Sequence, residues 1–255
     1  MPIKFLGRLT DRERTRTTNR QLGGVLAFVA GAVNAGGFLA VGRYTSHMTG
    51  AISSLADELV LGDLLLASGA LAMLVAFVAG AMSTALMVNW GRRRQLHGQY
   101  ALPLLAEAAL LLAFGVLGTR LRTGYELVAP ATVLLLCFVM GLQNAIITKA
   151  SQAEIRTTHM TGIVTDIGIE LGRLVYRNHA PELDRVHFVK ADRDRLSIHL
   201  TILSLFIVGG VCGALAFKAF GFLASVPLAV LLALIAAPAL LRDIAARARR
   251  PDSGT

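Results

Sequence analysis

The chain has 255 residues, 55% hydrophobic and only 16% charged, with a mean hydropathy of +0.61. A soluble domain carries roughly a quarter charged residues, so this composition excludes an ordinary water-soluble fold. The formal charge of +9 raises the question of nucleic acid, and the placement of the charges answers it below.

In chain order, residues 1–20 form a basic tail. Six stretches almost free of charge follow: 21–42, 64–90, 101–119, 127–148, 196–217 and 219–241. About 20 apolar residues cross a hydrocarbon core, so each stretch is a predicted transmembrane helix. Among Asp, Glu, Lys and Arg, only Glu107 falls inside one of them. The third and sixth open on a proline, Leu102-Pro103-Leu104 and Val226-Pro227-Leu228, which suits a helix's first turn, where the missing N–H is no loss. Segments 45–61 and 157–175 are too short and polar to span. Each opens on a Thr/Ser pair fit for an N-cap and continues with apolar residues at helical spacing, predicting two short helices that are re-entrant or interfacial. Non-helical backbone at membrane depth survives only where protein buries it or it lines a watery cavity. Residues 176–198 carry both signs and read as a loop, and 242–255 as a second basic tail. Cys137 and Cys212 lie inside apolar spans and give neither a disulfide framework nor a CxxC site. The first span is too long for a signal peptide's apolar region.

The 25 lysines and arginines alternate by segment. The first tail holds six. The connections then hold one (Arg43), three (Arg92 to Arg94), two (Arg120, Arg122), eight (Lys149 to Arg195) and one (Lys218), and the last tail holds four. Alternate sides therefore carry 21 against 4. This bias predicts six spans with both termini cytoplasmic. Trp90, Tyr44, Tyr100, Tyr125 and Tyr176 fall at segment ends, where interfacial aromatic belts form. Orientation accounts for the basic residues, and no nucleic-acid partner is expected.

One motif is written twice: Thr45-Ser46-His47-Met48-Thr49-Gly50 and Thr157-Thr158-His159-Met160-Thr161-Gly162. The register continues downstream, pairing Ser53 with Thr165 and Glu58 with Glu170. Upstream, Gly31-x-x-Asn34-Ala35 answers Gly141-x-x-Asn144-Ala145. Such self-similarity marks an internal duplication. Three spans per copy force the second copy to enter from the opposite side. The expected fold is an all-α membrane protein of about six transmembrane helices. They form two inverted three-helix repeats, about 21–120 and 127–241, plus two short motif helices, within one membrane domain, 21–241. Spans two and five show no resemblance at this level. Inverted repeats are a common construction of secondary transporters.

The pattern Gly31-x-x-Asn34, then Thr45-Ser46-His47-Met48-Thr49-Gly50, then a short helix ending near Gly62-Asp63, resembles the YoaK-like family of bacterial multi-pass membrane proteins. The similarity runs roughly from Gln21 to Leu241. The family pattern places Asn after the motif glycine, where this chain has Ala51 and Ile163. That family is described as uncharacterised, so the resemblance implies a fold and a place in the bacterial inner membrane, and no substrate.

Candidate ligand contacts are Asn34, Thr45, Ser46, His47, Thr49, Gly50, Asn144, Thr157, Thr158, His159, Thr161 and Gly162. Half-helix N-termini carry partial positive charge and free N–H groups, which bind anions or polar groups. The same small residues also serve close packing, and a membrane Asn commonly bonds a neighbouring helix. Glu58 and Glu170 follow His47 and His159 at a spacing that puts His and Glu on one helix face. With Glu107 they are candidates for proton or ion coupling, since carboxylates at membrane depth are costly and functional; alternatively, the first two reach water and Glu107 snorkels to the interface.

The leading expectation is a secondary transporter or channel-like facilitator of a small polar or anionic solute, its site between the two His-Met-Thr-Gly segments. One alternative is a non-transporting scaffold or sensor with a dry, closed interior. Another is an intramembrane enzyme using His47, Glu58, His159 and Glu170 around a metal. There is no H-E-x-x-H, Walker loop or G-x-S-x-G, so neither enzyme nor cofactor nor metal is expected. The expected partners are the lipid bilayer, the solute and, through Gly209-Gly210 and Gly213, a second copy of the chain.

Overall fold

A computed structural model describes residues 9–10, 15–42, 44–120, 125–152, 157–176 and 189–248, and every regular element among them is helical. Helix α1 (Arg16–Val41) starts ahead of residue 21 because Thr15 and Thr18 form a reciprocal capping box. The Thr18 N–H donates to Thr15 Oγ1 at 3.2 Å and the Thr15 N–H to Thr18 Oγ1 at 2.9 Å. Such a box satisfies two orphan donors at once. The helix stops at Gly42, whose φ of 71° lets its N–H close on the Phe38 carbonyl. Helix α2 (Met48–Leu61) ends the same way at Gly62, and Asp63 then caps α3 (Leu64–Arg93), accepting from the Leu66 N–H at 3.0 Å. Next come α4 (Ala101–Arg120), α5 (Tyr125–Ala150) and α6 (Met160–Val175). Asp192 caps α7 (Arg193–Phe220), accepting from the Arg195 N–H at 3.0 Å. A 3-10 turn (Gly221–Ala224) leads into α8 (Ser225–Ala248). Pro103 and Pro227 both fall in first turns, as predicted. The outer parts of both basic tails, residues 177–188, Arg43 and Arg122 lie outside the described residues.

Five helical stretches are long and apolar enough to cross a membrane: Arg16–Leu39, Leu64–Arg93, Ala101–Gly118, Pro130–Ala150 and Arg193–Ala246. The last differs from the predicted pair of spans. It holds 54 residues, about 80 Å if straight, and comprises α7, the 3-10 turn and α8. Gly221, at φ 60° and ψ −142°, marks the junction. Helix α3 shows how such a helix meets lipid. Leu71, Val75, Val78, Met82 and Leu86 form an exposed apolar stripe, while Met73, Gly80, Thr84, Val88 and Gly91 turn inward. A helix apolar all round belongs in a bilayer, and this is a multi-pass membrane protein.

Four copies of Phe-x-x-Gly hold the centre together: Phe28 to Gly31 on α1, Phe77 to Gly80 on α3, Phe138 to Gly141 on α5 and Phe206 to Gly209 on α7. They meet in two equivalent crossings. A methyl group added at Gly31 would strike the Phe206 carbonyl, and one at Gly209 the Phe28 carbonyl. Likewise, Gly80 abuts the Phe138 carbonyl and Gly141 the Phe77 carbonyl. Backbones this close need glycine, and small-residue contact is how helices associate where lipid offers no hydrophobic drive. Along α1 and α7 the contacts rise together, Gly24 on Leu205, Gly31 on Phe206 and Gly36 on Phe217, so these helices run parallel. Between α1 and α5 they run oppositely, Leu26 beside Gln143 and Gly37 beside Leu136. Helices α4 and α8 pack on each other beside this centre.

Spans two and five are thus alike after all. Asp63 and Gly80 on one side, Asp192 and Gly209 on the other, share both spacing and role. The expected dimer face is corrected too. Gly209 and Gly213 are buried against Phe28 and Ala32 of the same chain, so they are not available to a second copy.

At the α3–α4 connection, buried Asp243 of α8 accepts from the His97 N–H (2.9 Å) and the Gly98 N–H (3.0 Å), with the exposed His97 ring at 3.0 Å. This carboxylate satisfies amides ahead of α4 that have no helical partner.

Two stability predictions follow from these contacts, both measurable by SDS-titration unfolding in mixed micelles. Alanine at Gly31, Gly80, Gly141 or Gly209 should each cost about 1–3 kcal/mol by overpacking. Alanine at Gly69 or Gly168, where a methyl group meets nothing within 4 Å, should be neutral or slightly stabilising. Asp243→Ala, which strands the buried Gly98 amide and the half-buried His97 amide, should cost about 1–3 kcal/mol; a loss below about 0.5 kcal/mol would contradict the staple.

Candidate functional site

The two His-Met-Thr-Gly segments fold alike. His47 is the N-cap of α2 (φ −91°, ψ 72°) and His159 that of α6 (φ −89°, ψ 58°), and neither ring bonds a helix N–H. Instead each imidazole lies back over the glycine of its own motif. A methyl group at Gly50 would stand 2.6 Å from His47 Nδ1, and one at Gly162 2.9 Å from His159 Nδ1. Glycine inside a first turn costs about 1 kcal/mol of helix propensity, and here it makes the seat for the ring. Thr45 and Thr157 precede the motifs as fully buried residues, and neither hydroxyl has a partner.

These segments converge on one chamber of about 630 Å³. Its lining is paired across the two halves: Asn34 with Asn144, Ser46 with Thr158, His47 with His159, Met48 with Met160, Thr49 with Thr161, and Phe77 with Phe206. Tyr44, Ile52 and Thr148 complete it, and no Asp, Glu, Lys or Arg is among the lining residues. The polar atoms offered are hydroxyls, amides, two imidazoles and the N-terminal ends of α2 and α6, which carry partial positive charge. Asn34 Oδ1 accepts from Ser46 Oγ at 2.8 Å. Asn144 Oδ1, its counterpart, is buried without a partner. Gly50 and Gly162 serve their histidines, and only Gly162 also faces a cavity.

A second cavity, of about 670 Å³, lies between the N-terminal ends of α1, α6 and α7. It is lined by Arg16, Arg20, Thr165, Asp166, Asp192, Asp194, Arg195 and His199, and it shares His159 and Thr161 with the chamber. Within it Arg195 pairs with Asp166 at 3.1 Å, and Arg20 donates to the Asp194 backbone carbonyl at 2.9 Å. The N-terminal end of α6 therefore separates a charged vestibule from an uncharged chamber.

The three candidate carboxylates go elsewhere. Glu170 is buried and structural in geometry, accepting from Arg173 at 2.8 Å and from the Asp192 N–H at 2.8 Å, which fastens α6 to the start of α7. Glu58 is half-buried on α2. Glu107 is fully buried, with no partner for either oxygen, so it does not snorkel to the interface. None of the three lines either cavity. Hence the quartet of His47, Glu58, His159 and Glu170 does not gather around one space. Among the described residues no three His, Cys, Asp or Glu side chains form a metal-ligand group.

Sequence reading missed Phe77, Phe206, Met48 and Met160 as lining residues, and His199. The phenylalanines were legible in the Phe-x-x-Gly recurrence. His199, 6% exposed with Nδ1 unpartnered and Nε2 3.8 Å from Asp166, was hidden because its span counts as uncharged.

The family model described as "Protein of unknown function (DUF1275)" matches residues 22–237. The chain belongs to this family. No curated protein and no solved structure matches it. The matched segment of this DUF1275 member contains both motifs, all four Phe-x-x-Gly crossings and the whole lining of the chamber.

The seating of the rings is testable. Gly50→Ala and Gly162→Ala should each displace the adjacent imidazole and change its reaction rate with diethylpyrocarbonate at least threefold, read by mass spectrometry at His47 or His159. Unchanged rates in both variants would mean that the glycines serve backbone packing alone.

Proposed function

We propose that this DUF1275 member is a secondary transporter or channel-like facilitator for a small polar or anionic solute, and that the chamber is its binding site. One observation carries the reading: both copies of a duplicated motif present equivalent residues to a single cavity between the two halves. Binding sites at repeat interfaces, built from half-helix ends, are the pattern of inverted-repeat transporters. Two positive helix ends and no lining carboxylate favour anions or neutral acceptors and disfavour cations. The opposed course of α1 and α5, together with the equivalent α1–α7 and α3–α5 crossings, supports two inverted three-helix repeats. On this reading Gly221 divides the last apolar stretch into two spans, making six.

The arginine bias then sets both termini and the charged vestibule on the cytoplasmic side, and the YoaK-like resemblance implies the inner membrane of a bacterium. Rocking one half against the other would alternate access to the chamber. A scaffold or sensor is the second reading. That reading expects the motifs packed against helices, whereas His47, Thr49, His159 and Thr161 are exposed along the cavity.

The test is side-specific thiol labelling in a background lacking Cys137 and Cys212, with single cysteines replacing Thr49 and Thr161. Expected is reaction at Thr49→Cys from outside and at Thr161→Cys from inside. Stopped-flow osmotic recovery of proteoliposomes, run with urea, glycerol, formate and nitrate, should show at least one solute entering faster than in protein-free vesicles. If neither thiol reacts from any side and no solute enters faster, the motifs are buried packing elements and the scaffold reading replaces this one.

A further inference from the structure

The two halves of the chamber match in sequence but differ in bonding. In the first, Asn34 Oδ1 accepts from Ser46 Oγ at 2.8 Å and from the Ser46 N–H at 3.4 Å, tying the turn ahead of α2 to α1. In the second, Asn144 holds the matching place on α5 and Thr158 the matching place ahead of α6, yet no bond joins them. The Asn144 side-chain oxygen is buried and unpartnered. An amide oxygen shut away from water without a donor is costly, which favours any conformer that brings a donor to it. The Thr158 hydroxyl, the counterpart of Ser46, lines the same chamber as Asn144. The unbonded half borders the vestibule, which runs beside α6, and His159 and Thr161 line both cavities. No cavity-lining residue of α2 is shared in this way with the vestibule.

We propose that Asn34–Ser46 and Asn144–Thr158 are reciprocal latches, one closed in each of two conformers, and that this structure holds the first closed and the second open. Each latch joins a motif turn to the first helix of its own repeat. Closing the second would draw the N-terminal end of α6 against α5 and shut the vestibule, while releasing the first would open the equivalent space beside α2. The inference rests on the alternating-access reading above and specifies which bonds exchange in it.

The test uses the full chain in lipid nanodiscs, without Cys137 and Cys212, and with a single cysteine at Thr165 or at Ser53. Thr165 lines the vestibule on α6, Ser53 is its counterpart on α2, and both are exposed. The readout is the rate of reaction with a charged maleimide. Asn34→Ala should slow Thr165→Cys and speed Ser53→Cys, each by roughly threefold to thirtyfold, the range expected for one interhelical hydrogen bond. Asn144→Ala should leave Thr165→Cys as fast or faster and slow Ser53→Cys. The double variant Asn34→Ala/Asn144→Ala should bring both rates back towards those of the parent, because each conformer has then lost its latch. Ser46→Ala and Thr158→Val, which remove only the hydroxyl donors, should reproduce the pattern and substitute for the Asn variants if those fail to fold.

Rates at both sites that move in the same direction, or damage that accumulates in the double variant, would overturn the latch. Unchanged rates in all variants would overturn it as well. Failure of the latch remains distinct from failure of the transporter reading, which is decided by labelling at Thr49→Cys and Thr161→Cys and by solute entry.

Discussion

Four glycines set the spacing on which the rest of this molecule depends. At Gly31, Gly80, Gly141 and Gly209 the backbone of one helix lies against a phenylalanine carbonyl of another, with no room for a side chain. In a bilayer, where apolar side chains gain little by leaving lipid, such close contact and the weak Cα–H···O bonds it allows are a main source of helix association. The same short motif sets the chamber wall. Phe77 and Phe206 receive a glycine at their carbonyls and line the cavity with their side chains. Packing and site are therefore one construction: a shift at the crossing moves the wall.

The motif that the chain repeats is explained by the turn it makes. The histidine follows a bend and takes the N-cap position of a helix, and the glycine three residues on makes room for its ring. The threonines and the serine supply hydroxyls around the ring. Some of these hydroxyls face the chamber, whereas Thr45 and Thr157 are buried behind it without partners. Equivalent unsatisfied hydroxyls at both copies mark a shared feature of the two turns. The chamber's lack of formal charge contrasts with the vestibule beside it, where three arginines and three aspartates stand close together. A solute passing from one to the other would exchange a charged, hydrated environment for a dipolar one.

The carboxylates divide by role. Glu170 and Asp243 each satisfy backbone amides near a helix start, one holding α6 to α7 and the other holding the α3–α4 connection to α8. Asp63 and Asp192 do the same at shorter range, as N-caps in equivalent places. Glu107 is buried on α4 with neither oxygen partnered, away from both cavities. Spacing along a helix put His and Glu on one face, but a shared face does not make a shared cavity. The histidines sit at the N-caps and border the chamber, and the glutamates lie further along their helices, outside its wall.

Local sequence set the membrane class, the presence of several long apolar helices, the proline-opened first turns, the two short helices and the duplicated motif. These depend on local composition and on periodicity, which any window of the chain displays. It determined less securely where helices begin, because caps such as Thr15 with Thr18, and Asp192, extend a helix into charged sequence. Packing between helices set which residues share the chamber, that Gly209 and Gly213 face inward, and that Glu170 is tied to the start of α7. It alone decided that Asn34 is bonded where Asn144 is not. Two segments that share His-Met-Thr-Gly and differ only by Ser46 against Thr158 carry no sign of which one has closed on its neighbour, since that depends on the placement of whole helices.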